Sequence, residues 1–306
     1  MSLPTSLFGR DGPEVTRLGF DLMGLSSYYG IPIAHEEGLA LLDQAYALGE
    51  RFWDTANIYG DNEELLGKWF ENNPTKRNNV FLATKFGVRS KPDGTICSDS
   101  SYEYCLAACD RSLKRLSLPF VDLYYCHRLD GKSPVEETVR AMVQLKEQGK
   151  IRYLGLSECS ADSLRRAHKI HPISAVQMEY SPFSLEVELG VALGDFRTML
   201  PRFTKENFRK NLELVDKITA LAKGKSVTIS QLSLAWLLAQ GPDVFPIPGT
   251  TKLQRLKENA GALLVQMSAD DEAQFRHAVN EADVQCERYP GAFSSTLFVD
   301  TPPLDS

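Results

Sequence analysis

Short apolar runs alternate with amphipathic stretches along most of the chain, and this alternation restricts the fold more than any other feature. Leu18–Leu25 (LGFDLMGL), Arg51–Ala56 (RFWDTA), Val80–Phe86 (VFLATKF), Val121–Arg128 (VDLYYCHR), Tyr153–Glu158 (YLGLSE), Ala175–Ser181 (AVQMEYS) and Val244–Thr250 (VFPIPGT) read as strands. Between them Glu36–Gly49, Asn62–Asn72, Tyr102–Leu116, Ser133–Gly149 and Ala161–His168 repeat apolar residues at helical spacing, and two of these close on a glycine. Asn207–Lys223 and Thr228–Gln240 read as helices ahead of the last run. Strands that alternate with helices build parallel β/α units. Runs that are apolar on both faces fit strands covered on both sides. A long series of such units fits a closed barrel or an open doubly wound sheet. No G-x-G-x-x-G follows the first strand, which argues against a Rossmann dinucleotide site.

A chain of 306 residues, 43% apolar and 24% charged, has an ordinary globular balance. It fits one α/β barrel, which typically takes about 250 residues. No Pro-, Gly- or Ser-rich linker marks a second domain, so residues 1–306 read as a single barrel domain with an irregular tail from about residue 287. No run approaches the ~18 apolar residues of a membrane span. The opening MSLPTSLFGRDG has no apolar core of signal-peptide length, so a cytoplasmic location is expected. The net charge of −6 repels nucleic acid and anionic lipid. The expected partner is a small molecule, and any phosphate must be held locally. Oligomeric state is not legible. Cys97, Cys105, Cys109, Cys126, Cys159 and Cys286 form no C-x-x-C pair and read as reduced thiols. Neither they nor the five histidines show metal-ligand spacing, so no metal is expected. His168 and His171, in RRAHKIHP, read as solvated or capping residues at a helix end.

The alternation breaks in one place. The interval from residue 175 to residue 244 has room for two units but holds two helices and no clear strand. Its sole candidate is Leu189–Leu193 (LGVAL), so seven strands are countable where a barrel needs eight.

In a barrel of parallel strands the active site lies at the C-terminal strand ends. Asp54 ends FWD, Lys85 ends LATK, His127 ends LYYCH, and Tyr59 follows Asp54 in the loop NIYGD. A lone Lys or His at such a place is usually solvated or structural. Four polar residues at consecutive strand ends point to chemistry. A tyrosine hydroxyl titrates near pH ~10. A nearby lysine ammonium lowers that value, an aspartate holds the lysine charged, and a histidine donates a hydrogen bond to a developing oxyanion. The set suits protonation of a carbonyl oxygen while hydride reaches its carbon. No side chain supplies hydride, so a nicotinamide must.

The motifs FWDTANIYGDNEELLG, FLATKFG, VDLYYCHR, IRYLGLSE, AVQMEYSPF and FPIPGTTKLQRLKEN occur in the order found in the aldo-keto reductase family, which the chain resembles over most of residues 10–290. It looks closest to NADPH-dependent microbial and plant reductases of the pyridoxal reductase-like branch and is similar to potassium-channel β subunits. The resemblance implies an α/β fold of TIM (β/α)8 type and NADP(H) bound without a Rossmann fold. It implies a catalytic set of Asp54, Tyr59, Lys85 and His127, with Tyr59 the proton donor in the reduction of an aldehyde or ketone. It places Gly24 and Leu25 beside the nicotinamide, and Ser157 and Gln177 on its carboxamide. Position 158 is Glu where many members carry Asn. Gly249, Thr250, Thr251, Lys252, Arg255, Glu258 and Asn259 match the adenosine phosphate segment. A helix N-terminus favours phosphate. Two basic residues suit a 2′-phosphate, so NADP(H) is expected over NAD(H). The chain departs from the family after YSPFSLEVELG, where Gly190 runs within a few residues into LGDFRTMLPRF. A deletion of some tens of residues, covering the seventh strand and the loop that stacks on the nicotinamide, is the plain reading. It raises an alternative: a cofactor-binding regulatory module, or a weakly active truncated reductase.

Overall fold

The computed structural model describes residues 3–9, 12–28, 31–180, 205–282 and 296–304. Its centre is a curled sheet of six parallel strands, β3 (Phe20–Asp21), β4 (Phe52–Asp54), β5 (Phe81–Phe86), β8 (Val121–Cys126), β9 (Ile151–Ser157) and β10 (Ala175–Gln177), which lie side by side in chain order. All twelve residues of β5 and β8 are buried, as strands covered on both faces must be. Register is tight where the wall curves. Gly155 of β9 pairs with Tyr125 of β8, and a Cβ on Gly155 would fall 2.3 Å from the Tyr125 ring. Only glycine fits there.

The outer layer is α2 (His35–Leu48), α3 (Asn62–Asn72), α4 (Tyr102–Leu116), α5 (Val135–Glu147) and α6 (Ala161–Ile170). Their starts follow from local chemistry. Ser101 accepts the Tyr104 N–H at the head of α4, and Ser160 accepts the Ser163 N–H at the head of α6. Trp53 of β4 meets Trp69 of α3 at a centroid distance of 4.7 Å, inside one continuous core running from Phe20 to Leu256. His168, in the last turn of α6, accepts the Ile173 N–H (3.1 Å). A second core joins α7 (Lys205–Gly224), α8 (Ile229–Ala239) and α10 (Ala269–Asn280) through Leu214, Ile218, Trp236 and Phe275.

Several segments depart from the pattern reading. The first strand stops at Asp21, because the Asp21 carboxylate accepts the Met23 N–H (2.9 Å) and opens the short helix α1 (Met23–Ser26). The polar opening forms an antiparallel hairpin, β1 (Thr5–Leu7) with β2 (Glu14–Thr16). Phe8, in the loop between these two strands, packs on Phe52, Phe81 and Phe245 and plugs one end of the sheet. A second hairpin, β6 (Val88–Ser90) with β7 (Ile96–Ser98), follows β5. Val244–Thr250 is extended but is no regular strand. Pro246 and Pro248 have no N–H to donate, and only their carbonyls join the sheet, accepting from Gly19 (2.9 Å) and Asp21 (3.4 Å). Gly249 then bridges Asp21. The tail is tied down: Val299 bridges Cys159, and Arg166 donates to the Thr301 and Pro302 carbonyls. The candidate strand Leu189–Leu193 and Cys286 lie outside the described residues. No described helix is long and apolar enough to cross a membrane, and no described cluster of His, Cys, Asp or Glu has the makings of a metal site.

Candidate active site

Asp54, Lys85 and His127 project from the C-terminal ends of adjacent strands β4, β5 and β8, and Tyr59 comes from the loop after β4. The structure brings all four together. The fully buried Lys85 ammonium donates to an Asp54 carboxylate oxygen, to the Thr55 carbonyl (2.9 Å) and to the Tyr59 hydroxyl (3.4 Å). The Tyr59 and His127 rings meet edge to face, with centroids 5.9 Å apart. Burial pushes the Asp54 carboxyl above its usual range, while the Lys85 charge and hydrogen bonds from Lys85 and Gln177 pull against it. Burial, and then the Lys85 and Arg128 charges, hold His127 well below the usual imidazole range. The ring is therefore neutral at pH 7 and carries one N–H. Its buried Nδ1 meets no partner among the described residues.

The loop that carries Tyr59 is fixed from three sides. Its backbone docks on β5 through Thr55 N–H to the Ala83 carbonyl and Asn57 N–H to the Lys85 carbonyl. Asn62, fully buried in the first turn of α3, accepts from the Thr55 hydroxyl (2.6 Å) and donates to the Leu22 carbonyl (2.8 Å). From outside, Arg115 of α4 donates to the Asn57 carbonyl (3.0 Å) and the Gly60 carbonyl. Arg115 is itself held by Glu63, whose buried carboxylate accepts the Thr84 hydroxyl (2.6 Å) one residue before Lys85. Arg128, Asn62, Glu63 and Arg115 escaped the sequence reading. The available signal for Asn62 and Glu63 was a pair of polar residues at a helix start, both of which the barrel buries.

The expected coenzyme residues fall into two groups. Gly24 and Leu25 lie in α1 directly after β3. Ser157 ends β9 and accepts from Arg128 (3.2 Å), while Gln177 ends β10 and donates to Asp54 (3.1 Å), so both stand at the same mouth as the four. Glu158 is buried in the left-handed region, with φ of 49°, and its carboxylate accepts the Glu179 N–H (3.1 Å). Gly249 approaches the Asp21 carbonyl so closely that a Cβ would lie 3.0 Å from it. Thr250 is buried and accepts the Lys252 N–H (3.0 Å). Thr251 precedes Lys252, the N-cap of α9 (Leu253–Gly261), which carries Arg255, Glu258 and Asn259. The α9 N-terminus has no side-chain cap and no acidic residue in its first turn. Lys252 and Arg255 make no ion pair among the described residues. Free amides with two unpaired cations fit a phosphate.

The model of the aldo/keto reductase family matches residues 17–193 and 190–280, and the chain belongs to that family. It is 44% identical over 342 aligned positions to an aldo-keto reductase of Schizosaccharomyces pombe, yakc, whose name carries NADP(+), with 99% of each chain covered. It is 38% identical over 344 positions to the aldo-keto reductase str7 of Strobilurus tenacellus, again with 99% of each covered. A probable aldo-keto reductase of Glycine max is 39% identical, covering 97% of this chain and 96% of that one. In fold the chain is similar to the glycerol dehydrogenase AKR11B4 from Gluconobacter oxydans (TM-score 0.79, 21% identity, 94% of this chain and 98% of that one). It is also similar to the thermostable aldo-keto reductase Tm1743 (TM-score 0.73, 28% identity, 90% and 100% covered). The fold is α/β of TIM-barrel type.

Proposed function

We propose that the chain is an NADP(H)-dependent oxidoreductase that reduces the carbonyl of a small aldehyde or ketone to an alcohol, with Tyr59 as proton donor. One observation carries this reading: a single buried ammonium, Lys85, touches Asp54, the Thr55 carbonyl and the Tyr59 hydroxyl beside a neutral His127. Asp54 and the Thr55 carbonyl hold Lys85 in place. Lys85 stabilises negative charge on the Tyr59 oxygen as its proton leaves. The His127 N–H orients the carbonyl oxygen toward Tyr59. NADP(H), when bound, supplies the hydride. Ser157, Gln177, Gly24 and Leu25 would flank its nicotinamide. Gly249, Thr250, Thr251, Lys252, Arg255, Glu258 and Asn259 would hold its adenosine phosphates, and the NADP(+) in the name of the Schizosaccharomyces pombe relative supports the same coenzyme. The working unit is one barrel domain. The proposed location is the cytoplasm, where buried thiols such as Cys105, Cys109 and Cys126 stay reduced. The experiment is oxidation of NADPH with a panel of aromatic and aliphatic aldehydes. Turnover that survives Tyr59→Phe rules out the assigned donor.

A second reading has its own support. The two family matches overlap at residues 190–193, and the alignment with the Schizosaccharomyces pombe relative runs 36 positions longer than the 306 residues of this chain. These observations fit the loss of a seventh strand–helix unit near Gly190, which would leave a coenzyme-binding module with little turnover. NADPH binding by fluorescence titration, without oxidation by any carbonyl, favours this reading. A transcript carrying additional codons between positions 185 and 200 dismisses it.

A further inference from the structure

Outside the mouth, between the β6–β7 hairpin, helix α4 and the loop carrying Tyr59, lies a cavity of about 480 Å³. That volume is in the range of small-molecule sites. Neither Tyr59, Lys85, Asp54 nor His127 lines it. Its charged lining is cationic throughout: Arg89 from β6, and Arg111 and Arg115 from α4, with no acidic side chain among the lining residues. In a chain of net charge −6 this is an uneven placement.

The arginines are organised. The Arg89 and Arg111 guanidinium groups each lie 5.3 Å from the centroid of the Tyr104 ring, which fixes both by cation–π attraction. Arg89 faces one carboxylate, Asp99, at 3.3 Å. Arg111 is in no ion pair among the described residues. Arg115 is shared by Glu63 and Glu64. Asn57, also in the lining, donates to the Tyr104 hydroxyl (3.4 Å). Guanidinium groups held by an aromatic ring are arranged in advance for the planar, bidentate bonds that phosphate and carboxylate accept.

We propose that this pocket binds a small metabolite through its phosphate or carboxylate group, gripped by Arg89 and Arg111 beside Arg115. The ligand would sit on the far side of the Tyr59 loop from the carbonyl mouth. Arg115 would join the two, because the same guanidinium holds the Asn57 and Gly60 carbonyls of that loop.

The test is calorimetric titration of the full chain with inorganic phosphate and, separately, with citrate. Lys252→Ala/Arg255→Ala protein is used so that the α9 site does not contribute. The expected result is saturable binding of at least one anion, weakened about tenfold or more by adding Arg89→Gln and Arg111→Gln. Both are exposed side chains whose loss leaves the core intact. Tighter phosphate binding marks a phosphate ester as the ligand, and tighter citrate binding marks a carboxylic acid. Binding untouched by the two Gln substitutions, or no saturable binding of either anion, overturns the proposal. The titration uses neither coenzyme nor carbonyl, so its outcome is independent of the reductase reading.

Discussion

Strands β5 and β8 bury all twelve of their residues, whereas β10, at the sheet's edge, has three residues and all are half-buried. Across the mouth from β10, residues 244–250 join β3 by carbonyls of two prolines and one bridge. Of the groups proposed for proton transfer, Lys85 and His127 sit on this first wall and Asp54 and Tyr59 on the adjoining β4 and its loop, whereas those proposed for the coenzyme phosphates sit on the second. The first wall holds its side chains with buried ion pairs and loop clamps that need no ligand. The second presents unpaired cations and free amides at the head of α9, groups that a bound anion would satisfy. Chemistry is thus built into the rigid side of the barrel, and coenzyme recognition into the side with fewer internal restraints.

The largest expected effect lies on the rigid side. Tyr59→Phe removes one hydroxyl and should lower kcat by about 10²–10⁴-fold, the usual contribution of a positioned acid. NADPH affinity should stay within a factor of about two, because the coenzyme phosphates are held on the other wall. Steady-state kinetics with a parallel fluorescence titration separates the two quantities. Equal losses in both would show that the walls do not act independently.

Lys85→Met tests the same wall through stability. It leaves the Asp54 carboxyl, fully buried, without its cation. Breaking a buried pair this way costs about 3–5 kcal/mol, measurable by denaturant unfolding. Adding Asp54→Asn should restore much of the loss, because an amide needs no counter-ion. A single variant as stable as the parent would mean that the pair carries no structural weight.

The weaker wall is tested by Lys252→Ala with Arg255→Ala. Each cation offers the 2′-phosphate a charge-assisted bond of roughly 1.5–3 kcal/mol. The double variant should lose the preference for NADPH over NADH while NADH binding hardly changes. If the parent binds NADH as tightly as NADPH, the assignment of this segment to the 2′-phosphate fails.

The legibility of the molecule in its sequence follows the same division. Helix α4 falls at Tyr102–Leu116 as the apolar spacing predicts, and β5 and β8 lie within one or two residues of their predicted bounds, because buried parallel strands and amphipathic helices leave strong periodic signals. Asp54, Lys85 and His127 stood out because polar residues closed apolar runs. The stretch 244–250 misled, since its apolar residues suggested a strand while its prolines removed the donors a strand needs. The β1–β2 hairpin was missed because its strands are three residues long, too short for a period-2 pattern to register. Arg115 and Asn62 were invisible for another reason. Their roles depend on which carbonyls the folded loop turns toward them, and no spacing along the chain encodes that.

The smallest effect is read at the opposite end of β4 from Asp54. Glu50 is 1% exposed, and one of its carboxylate oxygens has no partner among the described residues. Burial pushes its carboxyl up to about 8. Asp54 is equally buried but shares its site with Lys85, so the stretch from Glu50 through β4 carries one carboxyl with a cation and one with no ion pair among the described residues. In the folded chain Glu50 keeps its proton to about pH 8, whereas in the unfolded chain it releases it near pH ~4.3. Between those values the folded state binds more protons, so stability falls as pH rises, by roughly 1.4 kcal/mol per pH unit. His127 acts with the opposite sign. Its folded pKa is depressed, so it costs stability only as pH drops below its ordinary value of 6.5. Between pH ~6.5 and ~8 the Glu50 contribution therefore stands apart from that of His127. Glu50→Gln should flatten the stability profile across that window and raise stability at pH 8, with kcat unchanged because the residue lies away from the mouth. Denaturant unfolding of both proteins at half-unit pH steps gives the slopes. A parent profile already flat there would mean that Glu50 ionises freely and that this end of β4 is wetter than its packing indicates.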